Sequence, residues 1–188
     1  MSNPVQSQSQ SVNDILYTSP GVLASGGLFL AALSLGTSLA LSTFAHASFI
    51  AVGLFLGGLL LILSAPGSWS RGCEAAAVLF AASGLFALSL PSLFILPQLG
   101  VGTQAGPLVL SSYLIMWSAF FAIMTSSFHT EGTSRNLTAS LALLCTGLTV
   151  FAIALLFGQP SLENVSGIIL LCSALTSAPA LLKRSCGS

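Results

Sequence analysis

The sequence predicts an all-α, polytopic membrane bundle of six transmembrane helices with both termini in the cytoplasm. Only 4% of the 188 residues are charged, against about 25% in soluble globular domains, and 54% are hydrophobic. The mean hydropathy is +0.97. The basic residues all lie between or beyond long apolar runs, at Arg71, Arg135, Lys183 and Arg184. A soluble chain of this length could not cover its surface with so few charges, so the lipid bilayer is the predicted surrounding.

Six apolar segments are long enough to cross the hydrocarbon core of a membrane, which requires about 20 mostly apolar residues. They are residues 21–44, 48–65, 74–96, 108–128, 137–158 and 165–182. Residues 1–18 are rich in Ser, Gln and Asn and contain no Lys or Arg. They lack the basic start of a signal peptide, so we expect a flexible cytoplasmic tail. The six-helix domain spans residues 19–182, and residues 183–188 form a short basic cytoplasmic tail.

Helix-breaking or polar residues separate the six segments in order. The first break, residues 45–47, is so short that the first two helices should form a tight hairpin. Residues 66–68 (Pro-Gly-Ser) close the second segment, and residues 97–107 follow the third as a loop that contains Pro and Gly. Polar residues 129–136 follow the fourth segment, and Gln159-Pro160 follows the fifth.

The basic residues predict the orientation. With six spans, both termini and the loops after the second and fourth spans share one side of the membrane. Arg71 and Arg135 lie in those loops, Lys183 and Arg184 follow the last span, and the opposite side receives no Lys or Arg. Positive residues mark the cytoplasmic face, so both termini are predicted to be cytoplasmic. The plasma membrane is the expected location, with an organelle membrane as the alternative.

The spans contain no Asp, Glu, Lys or Arg in their middle, and Glu74 lies at a helix start. Buried ionisable groups usually mark proton relays, so their absence is unfavourable to an ion-coupled pump and to an intramembrane hydrolase. We therefore expect no enzyme. The four cysteines have no short repeated spacing, so no metal site or cofactor is predicted. The net charge of zero predicts no nucleic-acid partner.

Small residues are abundant inside the spans. Gly53 and Gly57 form a GxxxG pair with Gly58 beside it, and this spacing lets helix backbones approach closely. We interpret these three glycines as helix-packing residues. The same small and hydroxyl residues also suit a narrow pathway for a small neutral or weakly acidic solute, and composition leaves both interpretations open.

Several motifs agree in order and spacing with one known family. They are the glycine pair at residues 53–58, Leu96-Pro97-Gln98-Leu99-Gly100 after the third span, and the aromatic series Tyr113, Trp117, Phe120 and Met124. The chain resembles the acetate uptake transporter family, the six-helix acetate and succinate permeases of bacteria and fungi. The resemblance runs from Pro20 to about Ser177. It implies a six-helix fold and a homo-oligomeric ring, a hexamer in that family, in which each protomer has its own pore.

The narrowest point of that family is a constriction of Phe, Tyr and Leu. By position these residues correspond here to Gly26, Ser83 and Leu148, so only the leucine is kept. An asparagine of the family's first helix corresponds to Ser34. The loss of two rings implies either a wider throat or helices that have closed over it. Gly26, Ser34, Ser83 and Leu148 are the candidate solute-contacting residues.

The predicted function is a membrane transporter or channel for a small monocarboxylate such as acetate, with succinate as a second candidate. Because no fixed cation is predicted inside the membrane, the protonated acid should be the form that crosses. Two alternatives stay open. One is a non-transporting six-helix scaffold that binds a partner protein. The other is a channel for a neutral solute such as ammonia.

Overall fold

The computed structural model describes residues 20–40, 47–130 and 135–185, with side chains placed for 22–40, 50–129 and 135–177. The tail 1–18, the break at residues 45 and 46 and the end of the chain lie outside the described residues. The described residues form six α-helices and no strand. The helices are α1 (Pro20–Ala40), α2 (Ala47–Trp69), α3 (Glu74–Gln98), α4 (Pro107–Thr130), α5 (Arg135–Phe157) and α6 (Pro160–Ser185).

The helices overlap all six predicted segments, and the largest differences occur at prolines. Pro66 does not end α2, which continues to Trp69. A proline near the end of a helix removes a single backbone hydrogen bond, here the one to the Ile62 carbonyl. The last turn re-forms beyond it, because the Ser70 N–H donates to the Pro66 carbonyl at 3.0 Å.

Helix α6 begins five residues earlier than predicted and ends three residues later. It starts at Pro160, because proline is well suited to the first turn of a helix, where its missing N–H has no partner to lose. It continues to Ser185, so Lys183 and Arg184 lie in its last turn.

Five of the described helices, α1 to α5, are both long enough and apolar enough to cross a membrane. Helix α6 has 26 residues and is therefore about 39 Å long, which exceeds the hydrocarbon thickness. It is more polar than the others and carries Glu163 in its first turn. The chain is a multi-pass helical membrane protein, in agreement with the sequence.

The helices form an antiparallel ring in the order α1, α2, α3, α4, α5, α6, and α6 packs back against α1. Gly36 and Gly167 meet where the end of α1 lies beside the beginning of α6. The beginning of α1 and the end of α6 therefore share one end of the bundle. We name this the charged end, because Arg71, Arg135, Lys183 and Arg184 lie there. The opposite end, with the α3–α4 loop, is the vestibule end.

Glycine backbones join helices α1, α2 and α3. A Cβ atom at Gly57 would lie 2.7 Å from the Gly27 carbonyl oxygen on α1. A Cβ atom at Gly58 would lie 2.9 Å from the Gly84 carbonyl oxygen on α3. Gly53 lies against the side chain of Ser34 on α1. Helix α2 therefore uses Gly53 and Gly57 towards α1 and Gly58 towards α3, and a side chain at any of them would force the helices apart.

Hydroxyl groups join helices α4, α5 and α6. Ser140 on α5 and Ser173 on α6 each donate to the other's carbonyl, at 3.0 and 2.8 Å. Ser118 on α4 lies 2.6 Å from the Thr149 hydroxyl on α5. In a membrane, such bonds between helices stabilise the contact because no water competes for the polar groups.

Candidate solute pathway

A large cavity opens at the vestibule end of the bundle. Its volume is about 570 Å³, which is within the range of small-molecule sites. Among the described residues, the lining contains no charged side chain, and its polar side chains are the amides of Gln98 and Gln104. The other lining residues are Leu35, Ile50, Ala51, Leu54, Leu90, Pro91, Phe94, Ile95, Pro97, Gly102 and Phe151. We call this cavity the vestibule.

A second, much smaller cavity lies near the middle of the bundle. Its volume is about 20 Å³, which is enough for one water molecule. Five helices contribute to its lining: Leu28, Ala31, Ala32 and Leu35 from α1, Leu54 and Leu61 from α2, Ser83, Phe86 and Ala87 from α3, Phe121 from α4, and Leu144 from α5. Leu35 and Leu54 line both cavities, so these two side chains separate the central cavity from the vestibule.

Ser83 is the polar side chain of the central cavity. It is 2% exposed, and its hydroxyl has no hydrogen-bond partner. It lies nine residues into α3, about 13 Å from the start of that helix, and therefore deep in the membrane. Every other buried serine of the described residues forms a hydrogen bond: Ser25, Ser34, Ser38, Ser64, Ser68, Ser111, Ser118, Ser140, Ser166, Ser173 and Ser177.

Aromatic side chains fill the seam between α3 and α4. Phe86 of α3 contacts three rings of α4, those of Tyr113, Trp117 and Phe121, with centroid distances between 5.2 and 6.1 Å. Phe120 packs on the far side of Trp117, 5.8 Å away. The Tyr113 hydroxyl lies 2.5 Å from that of Ser89 on α3. This seam is built from side chains, because the two helix backbones stay apart here.

The other three predicted contact residues lie at different places. Ser34 is buried at the contact with Gly53, and its hydroxyl donates to the Ala31 carbonyl at 3.0 Å. Leu148 is fully buried on α5 in the apolar core, and Gly26 is half-buried on α1. Ser83 is therefore the one predicted residue that lines the central cavity. The constriction at Gly26, Ser83 and Leu148 stays a prediction.

The sequence interpretation missed the two rings that line the central cavity, Phe86 and Phe121. A usable signal existed in α4, because residues 113, 117 and 121 follow one another at four-residue spacing and share a face. The vestibule had no such signal, since its lining comes from four helices and a loop. Among the described residues, no three His, Cys, Asp or Glu side chains gather at a spacing that could hold a metal ion.

The fold and the two cavities define the class of this protein: a multi-pass helical membrane bundle with two internal cavities, whose described lining residues carry no charge. No protein-family model matches the chain, and no curated protein matches it in sequence. A solved structure does match: the chain is similar to the bacterial acetate channel SatP with a TM-score of 0.81. The alignment covers 88% of this chain and 91% of that chain at 22% sequence identity. The fold expected from the family resemblance is confirmed. A sequence identity of 22% shows a shared fold and no more than that.

Proposed function

We propose that this protein is a channel or transporter for a small monocarboxylate such as acetate, with succinate as a second candidate. One observation carries the proposal: beyond a vestibule without charged side chains among the described residues lies a central cavity, whose one polar lining side chain in the described chain, Ser83, has a hydroxyl without a hydrogen-bond partner. A solute carboxyl group can accept a hydrogen bond from this hydroxyl or donate one to it. The fold shared with a bacterial acetate channel supports the same function.

The protonated acid is the form that we expect to cross. Protonating a carboxylate with a pKa near 4.5 at pH 7 costs about 3–4 kcal/mol, at 1.36 kcal/mol per pH unit. Moving an unpaired carboxylate into an apolar interior costs about 20 kcal/mol in the idealised limit. The central cavity is lined by Leu, Ala and Phe apart from Ser83 and has no cation to pair with the anion. The neutral acid therefore has the lower barrier.

The remaining parts of the sequence prediction belong to this proposal. Gly26, Ser34 and Leu148 stay candidates for the wall of the pathway when it opens. Helix α6 would cross the membrane as the sixth span, because it packs along both α1 and α5. The charged end would then face the cytoplasm and the vestibule the outside of a plasma membrane, with an organelle membrane as the alternative.

The ring of protomers, a hexamer by the family resemblance, is also proposed. A row of exposed apolar residues on α2, Val52, Phe55, Leu56, Leu59 and Leu63, offers a surface to lipid or to a neighbouring protomer. Native mass spectrometry of the purified protein would give the number of subunits. A purely monomeric spectrum would contradict this part of the proposal.

Acetate flux into proteoliposomes tests the function. Stopped-flow acidification of the vesicle interior should be several-fold faster with protein than in protein-free vesicles, since acetic acid also crosses lipid. The excess should grow as the external pH falls from 7 to 5, because the fraction of neutral acid rises. Ser83→Phe should abolish the excess by filling the central cavity, and Ser112→Phe, on the exposed face of α4, should keep it. Rates equal to those of empty vesicles at both pH values would refute the proposal.

A specific observation also supports the scaffold alternative. The central cavity has room for one water molecule, and Leu and Phe side chains close it. A protein without flux for any small solute, yet correctly folded and helical, would favour a scaffold. The uncharged lining likewise fits a neutral solute. Flux of ammonia that exceeds the acetate flux would favour that channel instead.

A further inference from the structure

We propose that Phe86 and Phe121 are the steric gate of the pathway and set the size of the acid that can pass. The inference rests on the proposed function and names residues outside the constriction expected at Gly26, Ser83 and Leu148. Both rings line the central cavity beside Ser83, one from α3 and the other from α4. The positions expected for the constriction carry no ring in this chain, and Phe86 and Phe121 line the central cavity together with one of them, Ser83.

The two phenyl rings contact each other where they line the cavity. Their centroids are 5.8 Å apart and their planes meet at 80°, which is the edge-to-face arrangement that aromatic pairs prefer. Phe121 is fully buried and Phe86 nearly so. A cavity of about 20 Å³ leaves no room for acetate, which has four non-hydrogen atoms, while both rings stay in place.

The seam that carries these rings is the part of the ring of helices best suited to move. Glycine backbones fix α1 to α2 and α6 and fix α2 to α3, and any change of distance there would break close backbone contacts. Hydroxyl bonds to backbone carbonyls fix α4 to α5 and α5 to α6. Helices α3 and α4 meet through the aromatic side chains and the Ser89–Tyr113 hydrogen bond. Rotation of a ring can widen this seam while the other helix contacts stay intact.

A thiol at the central cavity reports whether the rings restrict access. The test uses Ser83→Cys in a chain whose four native cysteines are serine, reconstituted in nanodiscs, with a small water-soluble methanethiosulfonate as the probe. We expect slow modification with both rings present. Phe121→Ala should accelerate it at least tenfold, because removing the ring enlarges the space around the thiol at position 83 and loosens the α3–α4 seam. Phe86→Leu, a smaller change, should accelerate it less.

Phe120→Ala is the matched control. Phe120 belongs to the same aromatic cluster, 5.6 Å from Phe121, but does not line the central cavity. Loss of the Phe120 ring should change the rate of thiol modification at position 83 by less than about twofold. Equal rates in all variants, or equal acceleration by Phe120→Ala and Phe121→Ala, would overturn the gate. If Phe121→Ala does not give a monodisperse helical protein, Phe121→Leu replaces it with the same expected order of rates.

Solute selectivity separates the gate from the proposed function. Phe121→Ala should raise butyrate flux relative to acetate flux about tenfold, and Phe120→Ala should leave the ratio unchanged. Thiol modification does not depend on acetate flux. Ring-dependent modification without any acetate flux would refute the proposed function and keep the gate. Acetate flux together with a thiol-modification rate that is the same in all ring variants would refute the gate and leave the proposed function standing.

Discussion

At the residue scale, Ser83 is the exception among the buried serines. A serine in a helix normally bonds to a carbonyl three or four residues earlier, as Ser64 does to Leu61 at 2.6 Å. Ser83 does not, although it is 2% exposed and lies in the middle of the bundle. A buried hydroxyl without a partner costs about 1–3 kcal/mol. A buried hydroxyl without a partner in the protein is available to form a hydrogen bond with a solute, in agreement with the proposed function.

Replacing Ser83 should therefore stabilise the fold. We expect Ser83→Ala to raise the free energy of unfolding by about 1 kcal/mol, because it removes an unpartnered group. Ser140→Ala should lower it by about 1–2 kcal/mol, because it breaks the reciprocal bonds with Ser173. Both substitutions replace serine by alanine within a helix and therefore raise the helix propensity equally. The difference between the two free-energy changes then reflects the hydrogen bonds alone. Unfolding of both variants in the same detergent measures the difference between their free energies of unfolding. An equal decrease in both would contradict the unpartnered state of Ser83.

At the scale of elements, the helices of this bundle pack in three ways. Helices α1, α2 and α3 pack through glycine, α4, α5 and α6 through hydroxyl groups, and α3 and α4 through aromatic rings. Lipid tails are as apolar as the helices, so burial of apolar surface cannot drive these contacts as it does in water. Close backbone approach and hydrogen bonds act instead, and each kind of contact has its own sensitivity to mutation.

The α1–α2 contact should be the most sensitive to added volume. In Gly57→Val the new Cβ would lie 2.7 Å from the Gly27 carbonyl oxygen and 2.9 Å from the Ala31 nitrogen. Backbone atoms cannot move aside, so we expect a loss of about 1–3 kcal/mol in unfolding free energy. Gly106→Val is the control, because a Cβ atom there meets nothing within 4 Å. Thermal unfolding in detergent compares the two, and an equal change in both would show that the contact is loose.

At the scale of the whole molecule, the basic residues and the large cavity lie at opposite ends. Arg71 and Arg135 lie at the charged end, and Gln98 and Gln104 line the vestibule at the other. Charged residues are costly inside a membrane, so they gather where the chain leaves it. The vestibule end carries no Lys or Arg in the described residues.

Sidedness can be measured with single cysteines. Cys73 is exposed in the loop between α2 and α3 at the charged end, and Thr103→Cys places a thiol in the α3–α4 loop at the vestibule end. In right-side-out plasma-membrane vesicles, an impermeant maleimide should label Thr103→Cys at once. It should label Cys73 only after permeabilisation, because basic residues mark the cytoplasmic face. Each variant keeps one cysteine, with the others changed to serine. The reverse pattern would place the vestibule in the cytoplasm.

The sequence by itself determined the membrane class, six helices and their order. Charge exclusion and the length of apolar runs are sufficient for this, because an apolar segment of about 20 residues has few other stable places. It located the breaks less well where prolines sit near helix ends, as at Pro66 and Pro160, because proline is tolerated in a last or a first turn. The glycine pair was recognisable because spacing alone places Gly53 and Gly57 on one face.

Only the tertiary structure decided which side chains line the two cavities. In a soluble helix the polar face indicates the solvent and the apolar face the core. Here the helices are apolar on all sides, because the outer face meets lipid and the inner face meets other helices. No periodic signal therefore distinguishes Phe86, which lines the central cavity, from the exposed Leu85 beside it on α3. The same holds for Ser83, whose missing partner depends on its position among five helices and not on its neighbours in the chain.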